Sequence, residues 1–376
     1  MPAPRWHPFD LTSRVLAERL RGHEPSVELR AALLDDGVDW EGVVRQASEQ
    51  FVLAAFAAAV RDLGLDASLD LDLGGFLSAV HAANVERNRQ LRAQLAEVIA
   101  PLNRIGIEPV LLKGAVRLVD DLYPDLGWRM MWDLDVLVPE AALASAIDAL
   151  RITGYVATRA VDHSRKDVKL RRQGRANVEI HKELFGSKRQ QRLLTGAQVI
   201  SGSQAVAVDG ATVRLPSTAH QFVHLIGHSQ IGHNGYTYGR ISLRDRLEAA
   251  AMVHWLPESL EWETVYTRFA AAGYRRPLLA FLLSLGDGGF CTVPIQARTD
   301  ALTALQGRRI ALQARSTVMK RVSLSIGWYA VLLGSQTMQH EARLLRLART
   351  LKTLVLDREE RRRMIRTLID GPPRPW

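Results

Sequence analysis

The sequence predicts an α+β protein, mostly helical overall, in which a small mixed β-sheet lies between two helical regions. Apolar residues recur every three or four positions over residues 11–100 and again from residue 217 nearly to the C-terminus, which is the α-helical period. Between these regions, short runs rich in β-branched residues alternate apolar and polar side chains. We therefore expect an N-terminal helical region over residues 1–100, an α/β core over 101–215 and a C-terminal helical region over 216–376.

Composition and charge limit the classes of protein to which this sequence can belong. The 376 residues suffice for two or three packed units, and 47% hydrophobic and 24% charged residues are ordinary globular values. The net charge of +9 favours anionic partners such as nucleotides, phosphorylated metabolites or nucleic acid. The single cysteine, Cys291, excludes an intramolecular disulfide and a zinc site built on several thiolates, and it fits a reducing, cytoplasmic setting.

The N-terminus lacks the pattern of a signal peptide, and the longest apolar runs are far shorter than the roughly 18 residues that a membrane helix needs. We expect a cytoplasmic protein without a membrane partner.

The central region reads as strands and helices in a definite order. The run "IGIEPVLLKGA" (residues 105–115) predicts a strand, "WDLDVLV" (132–138) a second strand, and "EAALASAIDALRITG" (140–154) a helix that Gly154 ends. The runs "VKLRRQG" and "ANVEIHKEL" predict a hairpin whose second arm carries Glu179 and His181. A second hairpin is predicted at "AVAVDGATVRLPS", with Asp209 and Gly210 at the turn. These elements make a small mixed sheet.

Two carboxylates lie one residue apart in the second predicted strand. Residues two apart in a strand point to the same face, so Asp133 and Asp135 project together while Leu134 and Val136 point the other way. The ionised pair repels unless a cation lies between, and hard carboxylate ligands suit Mg²⁺. A third carboxylate on a neighbouring strand, for which Glu179 is well placed, completes a site for two Mg²⁺ ions and in-line phosphoryl or nucleotidyl transfer. The alternative is that both aspartates lie on the solvated face of an edge strand.

The order of these motifs resembles a known family. The segment "LLKGAVRLVDDLYPDLGWRMMWDLDVLVPEAALASAIDALRITGY", followed by "VEIHKELFG", is similar to the uncharacterised bacterial nucleotidyltransferases of the polymerase-β-like superfamily. A Lys-Gly turn, an arginine, a strand with two aspartates and a later strand with a histidine recur in that family. The resemblance covers residues 105–186, about a fifth of the chain.

The resemblance implies roles for seven residues. It implies catalytic, metal-binding roles for Asp133, Asp135 and Glu179, with Glu179 deprotonating or aligning the attacking hydroxyl. It implies nucleotide binding by Lys113, Gly114, Arg129 and His181. Lys-Gly replaces the more usual Gly-Ser or Gly-Gly of the superfamily, so either a hydroxyl contact is lost or Lys113 supplies a charge instead.

Three of the four nucleotide-binding assignments have a simpler structural alternative. Lys113 fits an ordinary lysine at the end of a strand, and Arg129 fits a loop ion pair with Asp125 or Asp133. His181 fits a hydrogen-bonded core histidine.

Three further features lie outside these motifs. His220, His224 and His228 recur every four residues, which places them on one stripe of a helix, with Phe222, Val223, Leu225 and Ile226 opposite. This stripe fits a transition-metal site, the lining of a cleft near the nucleotide, or a solvated or packing surface. Residues 164–175 carry six basic side chains that fit either a phosphate-binding arm or a solvated hairpin. Residues 342–368 predict an amphipathic helix that either docks on the protein or binds a membrane or nucleic acid.

These observations predict a Mg²⁺-dependent nucleotidyltransferase that uses a nucleoside triphosphate, with ATP the expected one. The predicted acceptor is a hydroxyl or phosphate of a small molecule or peptide. A non-catalytic nucleotide-binding or partner-binding scaffold is the alternative of another class, and a nucleotidyltransferase that acts on RNA is also compatible with the net charge.

Overall fold

The computed structural model describes residues 6–22, 24–35, 37–162, 164–292 and 300–334. The predicted C-terminal amphipathic helix, residues 342–368, lies outside the described residues. Among the residues described, no helix combines the length and the apolar character that crossing a membrane requires.

The N-terminal region is helical, as predicted. Four helices precede the long α5, which runs for 34 residues; the bounds are α1 Pro8–Leu20, α2 Val27–Leu33, α3 Trp40–Glu49, α4 Leu53–Asp62 and α5 Leu71–Arg104. Side chains of Ser26, Asp39 and Asp70 accept hydrogen bonds from backbone N–H groups at the starts of α2, α3 and α5. These caps satisfy donors that the first helical turn leaves without a partner.

A seven-stranded mixed sheet follows, and both predicted hairpins are confirmed. The strands are β1 Val110–Leu112, β2 Asp133–Leu137, β3 Val156–Ala157, β4 Asp167–Arg171, β5 Asn177–His181, β6 Ser203–Val208 and β7 Ala211–Pro216. Their order across the sheet is β3-β4-β5-β2-β1-β7-β6. The pairs β1/β2, β3/β4, β4/β5 and β6/β7 are antiparallel, and β1/β7 and β2/β5 are parallel. The sheet and its helical flanks confirm the α+β class.

Helices occupy the connections within the sheet and the chain that follows it. Three lie between strands: α6 Leu143–Ile152, α7 Lys188–Gln191 and α8 Gly196–Ser201. After the sheet come α9 Thr218–Ile226, α10 Gly235–Tyr238, α11 Leu243–Trp255, α12 Trp262–Ala271, α13 Arg275–Asp287, α14 Ala301–Arg315 and α15 Thr317–Gly334. A π-helical turn, Gly227–Gly232, separates α9 from α10.

Two hydrophobic cores cover the two faces of the sheet. One contains the inward residues of the central strands, such as Leu134, Val136 and Ile180, with α6 and the second half of α5. The other joins residues from both ends of the chain, such as Leu16 and Phe281, into one cluster. The N-terminal and C-terminal helices therefore pack together on the side of the sheet where the acidic side chains point.

Candidate active site

The predicted carboxylates meet at the centre of the sheet. Strands β2 and β5 run parallel in a register that pairs Asp135 with Glu179. Leu134 and Val136 are fully buried on the opposite face, which is the period-two alternation expected of this strand. Asp133 and Asp135 both line a cleft of about 180 Å³ between the sheet and helices α9 and α11. The aspartates therefore face a cleft and not open solvent.

A cation of the chain itself lies among these acids. The Lys113 ammonium donates a hydrogen bond to Asp135 Oδ1 at 2.6 Å and lies 4.0 Å from Glu179 Oε2. Burial opposes the charge on Lys113, but Asp135 and Glu179 outweigh it and raise the pKa of the lysine. We expected a cation among the acids, and the ammonium of Lys113 is one.

The turn after β1 positions this lysine. Lys113 adopts a left-handed backbone conformation, with φ at 51°, which costs a non-glycine residue about 1–2 kcal/mol. The next residue, Gly114, packs closely against Met131, because a Cβ on Gly114 would lie 3.2 Å from Met131 Cβ. Strained backbone of this kind persists where the surrounding structure holds it and is common at functional sites.

His181 lies beneath the acidic pair. Its Nε2 donates to Asp135 Oδ1 at 2.7 Å and lies 3.7 Å from Glu179 Oε2. Asp135 is 2% exposed, and although burial disfavours its charge, Lys113 and His181 lower the pKa of its carboxyl. His181 therefore contacts Asp135 more closely than it contacts Glu179.

Asp133 differs from its neighbour. Among the described residues it makes no hydrogen bond or salt bridge, and burial, with the charges of Asp135 and Glu179, raises the pKa of its carboxyl. Lys169, from the basic arm, pairs with Glu179 at 3.1 Å. The potential ligand atoms of Asp135, Glu179 and His181 come within 4.8 Å of one another. A half-buried carboxylate that is repelled by two others fits a divalent cation held on hard oxygen ligands.

Arg129 is held by a carboxylate that the sequence did not indicate. Its Nε lies 2.8 Å from Glu248 Oε2 of α11, although the N–H points off the line of a hydrogen bond, so the contact is coulombic. Arg117 Nε donates to the other oxygen of Glu248 at 3.1 Å. All three side chains line the cleft. The partner of Arg129 is therefore Glu248, and neither Asp125 nor Asp133.

The histidine stripe of α9 lines the opposite wall of the cleft. His220, His224 and His228 all face it, and burial lowers the pKa of each imidazole. Leu225 also lines the cleft, contrary to our expectation, because the cleft is wider than a single helical stripe. Phe222, Val223 and Ile226 are buried in the core as expected. The wall opposite the carboxylates therefore presents neutral imidazoles.

An aromatic pair at the rim of the cleft was not predicted from the sequence. Trp132, next to Asp133, lines the cleft with a side chain 47% exposed. It packs edge to face against Phe51, with ring centroids 5.2 Å apart, and the Arg87 guanidinium lies 5.7 Å from its ring. The only sequence signal was a tryptophan directly before the first aspartate, and nothing in the pattern indicated that it would be exposed.

Comparisons with known proteins agree with the motifs. The family described as "Uncharacterised nucleotidyltransferase" matches residues 36–285, well over half of the chain. No curated protein matches the chain. The solution structure of the antibiotic-resistance factor ANT(2'')-Ia is similar at 13% identity, covering 51% of this chain and 96% of that one, with a TM-score of 0.35. That structural likeness is too low to carry an argument about the site.

Proposed function

Because this chain belongs to the family of uncharacterised nucleotidyltransferases, we propose that it transfers a nucleoside monophosphate from a nucleoside triphosphate, with Mg²⁺, to an acceptor hydroxyl or phosphate. The observation that carries the proposal is the register of β2 and β5, which sets Asp135 beside Glu179. Asp133, which has no partner among the described residues, and Asp135 both line the cleft. Asp133 has two further carboxylates beside it and no partner among the described residues, which raises the pKa of its carboxyl, and a carboxylate perturbed in this way within a cleft is typical of a functional site.

Asp133, Asp135 and Glu179 would hold the metal, with two ions expected. Bound there, Mg²⁺ would neutralise the triphosphate charge and support in-line displacement at the α-phosphorus. Asp133 is the carboxylate most in need of a cation, since it makes no ion pair among the described residues while two negative charges lie beside it.

The remaining residues of the site would position the reactants. Glu179, 19% exposed at the edge of the cluster, would align the attacking hydroxyl or accept its proton. The ammonium of Lys113 would leave Asp135 and bind the incoming phosphates. His181 would hold Asp135 in place during this change of partner. Arg129, with Glu248 on one side of its guanidinium, would present its other face to the phosphates.

The dimensions of the cleft bear on where the nucleotide would lie. Its 180 Å³ is less than the roughly 300–1,000 Å³ of most ligand sites, so the triphosphate would fill the enclosed part and the nucleoside would extend to the rim. Trp132 lies at that rim, next to the carboxylates, and a base stacked on its ring would remain close to the metal. ATP is the triphosphate that we expect.

The acceptor would enter between the carboxylates and the α9 wall. Neutral imidazoles at His224 and His228 would donate or accept hydrogen bonds without repelling or trapping charge, whereas Nε2 of His220 already bonds to Arg268. Such a wall suits the hydroxyl-bearing face of a small molecule or a peptide side chain. Within the part of the chain that the structure describes, this wall has no row of lysines and arginines that would track an RNA backbone. Several charges of the basic arm, residues 164–175, pair with Asp167, Glu179 and Glu97.

The test is nucleotidyl transfer by the purified chain. Each α-labelled nucleoside triphosphate is incubated with Mg²⁺ and a mixture of candidate small molecules and peptides, and labelled product and pyrophosphate are measured. Asp133→Asn, Asp135→Asn and Glu179→Gln should each lower turnover at least about 100-fold, because each removes a ligand of the ions that stabilise the transition state. Asp148→Asn, an exposed carboxylate of α6, is the matched control and should leave turnover unchanged.

Other outcomes separate the alternatives. Turnover that survives the loss of Asp133 and Asp135 would contradict the metal assignment. Mg²⁺-linked triphosphate binding without turnover towards any acceptor would support the scaffold function. Transfer only to RNA, with affinity that falls steeply as salt increases, would support the RNA-directed enzyme.

A further inference from the structure

A second and larger cavity lies on the other side of α11 from the cleft. It measures about 760 Å³, within the range of small-molecule sites, and it is bounded by α1, α11, α13 and α14. On α11, Arg244, Asp245 and Glu248 face the cleft, whereas Arg246 lines this second cavity. We call it the rear cavity.

Arg246 is a buried charge without a partner among the described residues. Its side chain is 4% exposed, and it makes no hydrogen bond or salt bridge to the part of the chain that the structure describes. The guanidinium lies 5.5 Å from the ring of Phe9, which offers a cation–π contact but no hydrogen-bond acceptor. Burial lowers the pKa of Arg246 only to about 10, so the group keeps its charge at neutral pH. A buried guanidinium normally has a carboxylate or phosphate against it.

The polar groups near Arg246 also favour an anion. Ser13, 5% exposed, lines the rear cavity, and its buried hydroxyl has no hydrogen-bond partner among the described residues. The charged residues of the lining are four arginines and two aspartates: Arg14, Arg246, Arg308, Arg315, Asp10 and Asp287. Asp10 is already occupied by a bidentate contact with Arg315, at 2.8 and 2.9 Å. The lining therefore carries two more arginines than aspartates, of which Arg14 pairs with Glu18, and the donors of Arg246 and Ser13 have no acceptor among the described residues.

Apart from His7 and Ser284, the rest of the lining is apolar. Trp6, Phe9, Leu283 and Ile310 contribute to the walls. A simple inorganic anion would leave most of this volume and surface uncovered, whereas a molecule with an apolar body would bury it.

We propose that the rear cavity binds a small amphiphilic anion, with a carboxylate or phosphate head that accepts hydrogen bonds from Arg246 and Ser13 and an apolar body packed against Phe9, Leu283 and Ile310. The site is separate from the nucleotidyltransferase cleft and does not depend on the function proposed for it. The head group satisfies both unpartnered donors, and the body excludes water from the apolar walls.

One carboxylate of the lining offers a competing explanation. Asp287 is the acid that acts most strongly on Arg246 through its charge, but it lies beyond salt-bridge distance. If Asp287 serves as the partner of Arg246, removal of its charge lowers the stability of the fold and does not increase the affinity for the anion. If a ligand is the partner, Asp287 repels the ligand, and removal of its charge tightens binding.

Calorimetry with the full chain tests the proposal. Decanoate and decyl phosphate, both below their micelle concentrations, serve as probes, and decyltrimethylammonium is the cation of matched chain length. We expect one equivalent of each anion to bind and the cation not to bind. Arg246→Met should weaken anion binding about ten-fold or more, because a charge-assisted hydrogen bond is lost. Arg151→Met, a half-exposed arginine on α6, is the control and should change nothing.

Asp287→Asn provides an independent readout that keeps the helix α11 intact. We expect it to tighten binding of both anions several-fold. Failure of the wild-type chain to bind either anion, unchanged binding by Arg246→Met, or weaker binding by Asp287→Asn would each overturn the proposal.

Discussion

Replacement of Glu248 tests how the cleft is held together. Its side chain is 3% exposed and lies between two arginines, with Arg117 Nε at 3.1 Å and Arg129 Nε at 2.8 Å. Burial disfavours its charge, but Arg129 and Arg117 outweigh burial and lower the pKa of its carboxyl. Helix α11 is thereby attached to the turn after β1 and to the connection that leads into β2.

The burial and pairing of Glu248 determine how much its replacement lowers the free energy of unfolding. Removal of one partner from a buried ion pair costs about 3–5 kcal/mol, and we expect that loss in the free energy of unfolding for Glu248→Ala. Glu248→Gln keeps one acceptor for Arg117 and loses the charge, so a loss of about 1.5–3 kcal/mol is expected. A group whose pKa is lowered on folding stabilises the protein above its ordinary value of 4.5, and that stabilisation is lost as pH falls below it. The difference between wild type and Glu248→Gln should therefore be complete at pH 7 and shrink below about pH 4.5.

Urea denaturation followed by circular dichroism measures both quantities. Glu263→Gln, an exposed acid on α12, is the matched control and should stay within about 0.5 kcal/mol of wild type. A loss below about 0.5 kcal/mol for Glu248→Gln, or a difference independent of pH, would mean that Glu248 is solvated or unpaired and does not hold the two arginines.

Three further predictions follow from the site. Lys113→Met should let Mg²⁺ alone raise the urea midpoint more than it does in wild type, because the lysine ammonium no longer competes with the ion for Asp135; equal shifts would contradict this competition. Trp132→Ala should weaken binding of Mg²⁺-ATP about 5- to 150-fold, which is the contribution of one stacked base, and leave binding of Mg²⁺-tripolyphosphate unchanged. Trp132→Phe should retain most of the affinity for Mg²⁺-ATP. Equal losses for both ligands would show that the ring does not stack on the base. Burial raises the pKa of the Cys291 thiol to about 11, so a thiol reagent at pH 8 should label the folded chain about 100-fold more slowly than the urea-unfolded chain; equal rates would show that the thiol is exposed.

Local patterns in the sequence sufficed for the elements and for the acidic residues of the site. Alternation in "WDLDVLV" and "NVEIH" depends only on the two-residue period of a strand, so the shared face of Asp133 and Asp135 and the position of Glu179 followed directly. Turn residues such as Asp209 and Gly210, both with positive φ, marked a hairpin in the same way. The short β3 was missed, since Val156–Ala157 is too brief to show a period.

Contacts between distant segments were decided only by the tertiary structure. No local rule indicated that Glu248, more than a hundred residues away, would hold Arg129, or that Lys113 would donate to Asp135. The same holds for the histidines of α9, whose stripe was visible but whose facing cleft was not.

The α+β class, the strand that carries the aspartates and the family could all be predicted from the sequence, because periodicity and motif order are properties of a short stretch of chain. The tertiary structure decided which acids are neutralised, which wall faces them, and that helices from both ends of the chain share one core. The physical reason is that burial and charge pairing depend on distances in space, and spacing along the chain does not encode those distances once the segments are many residues apart.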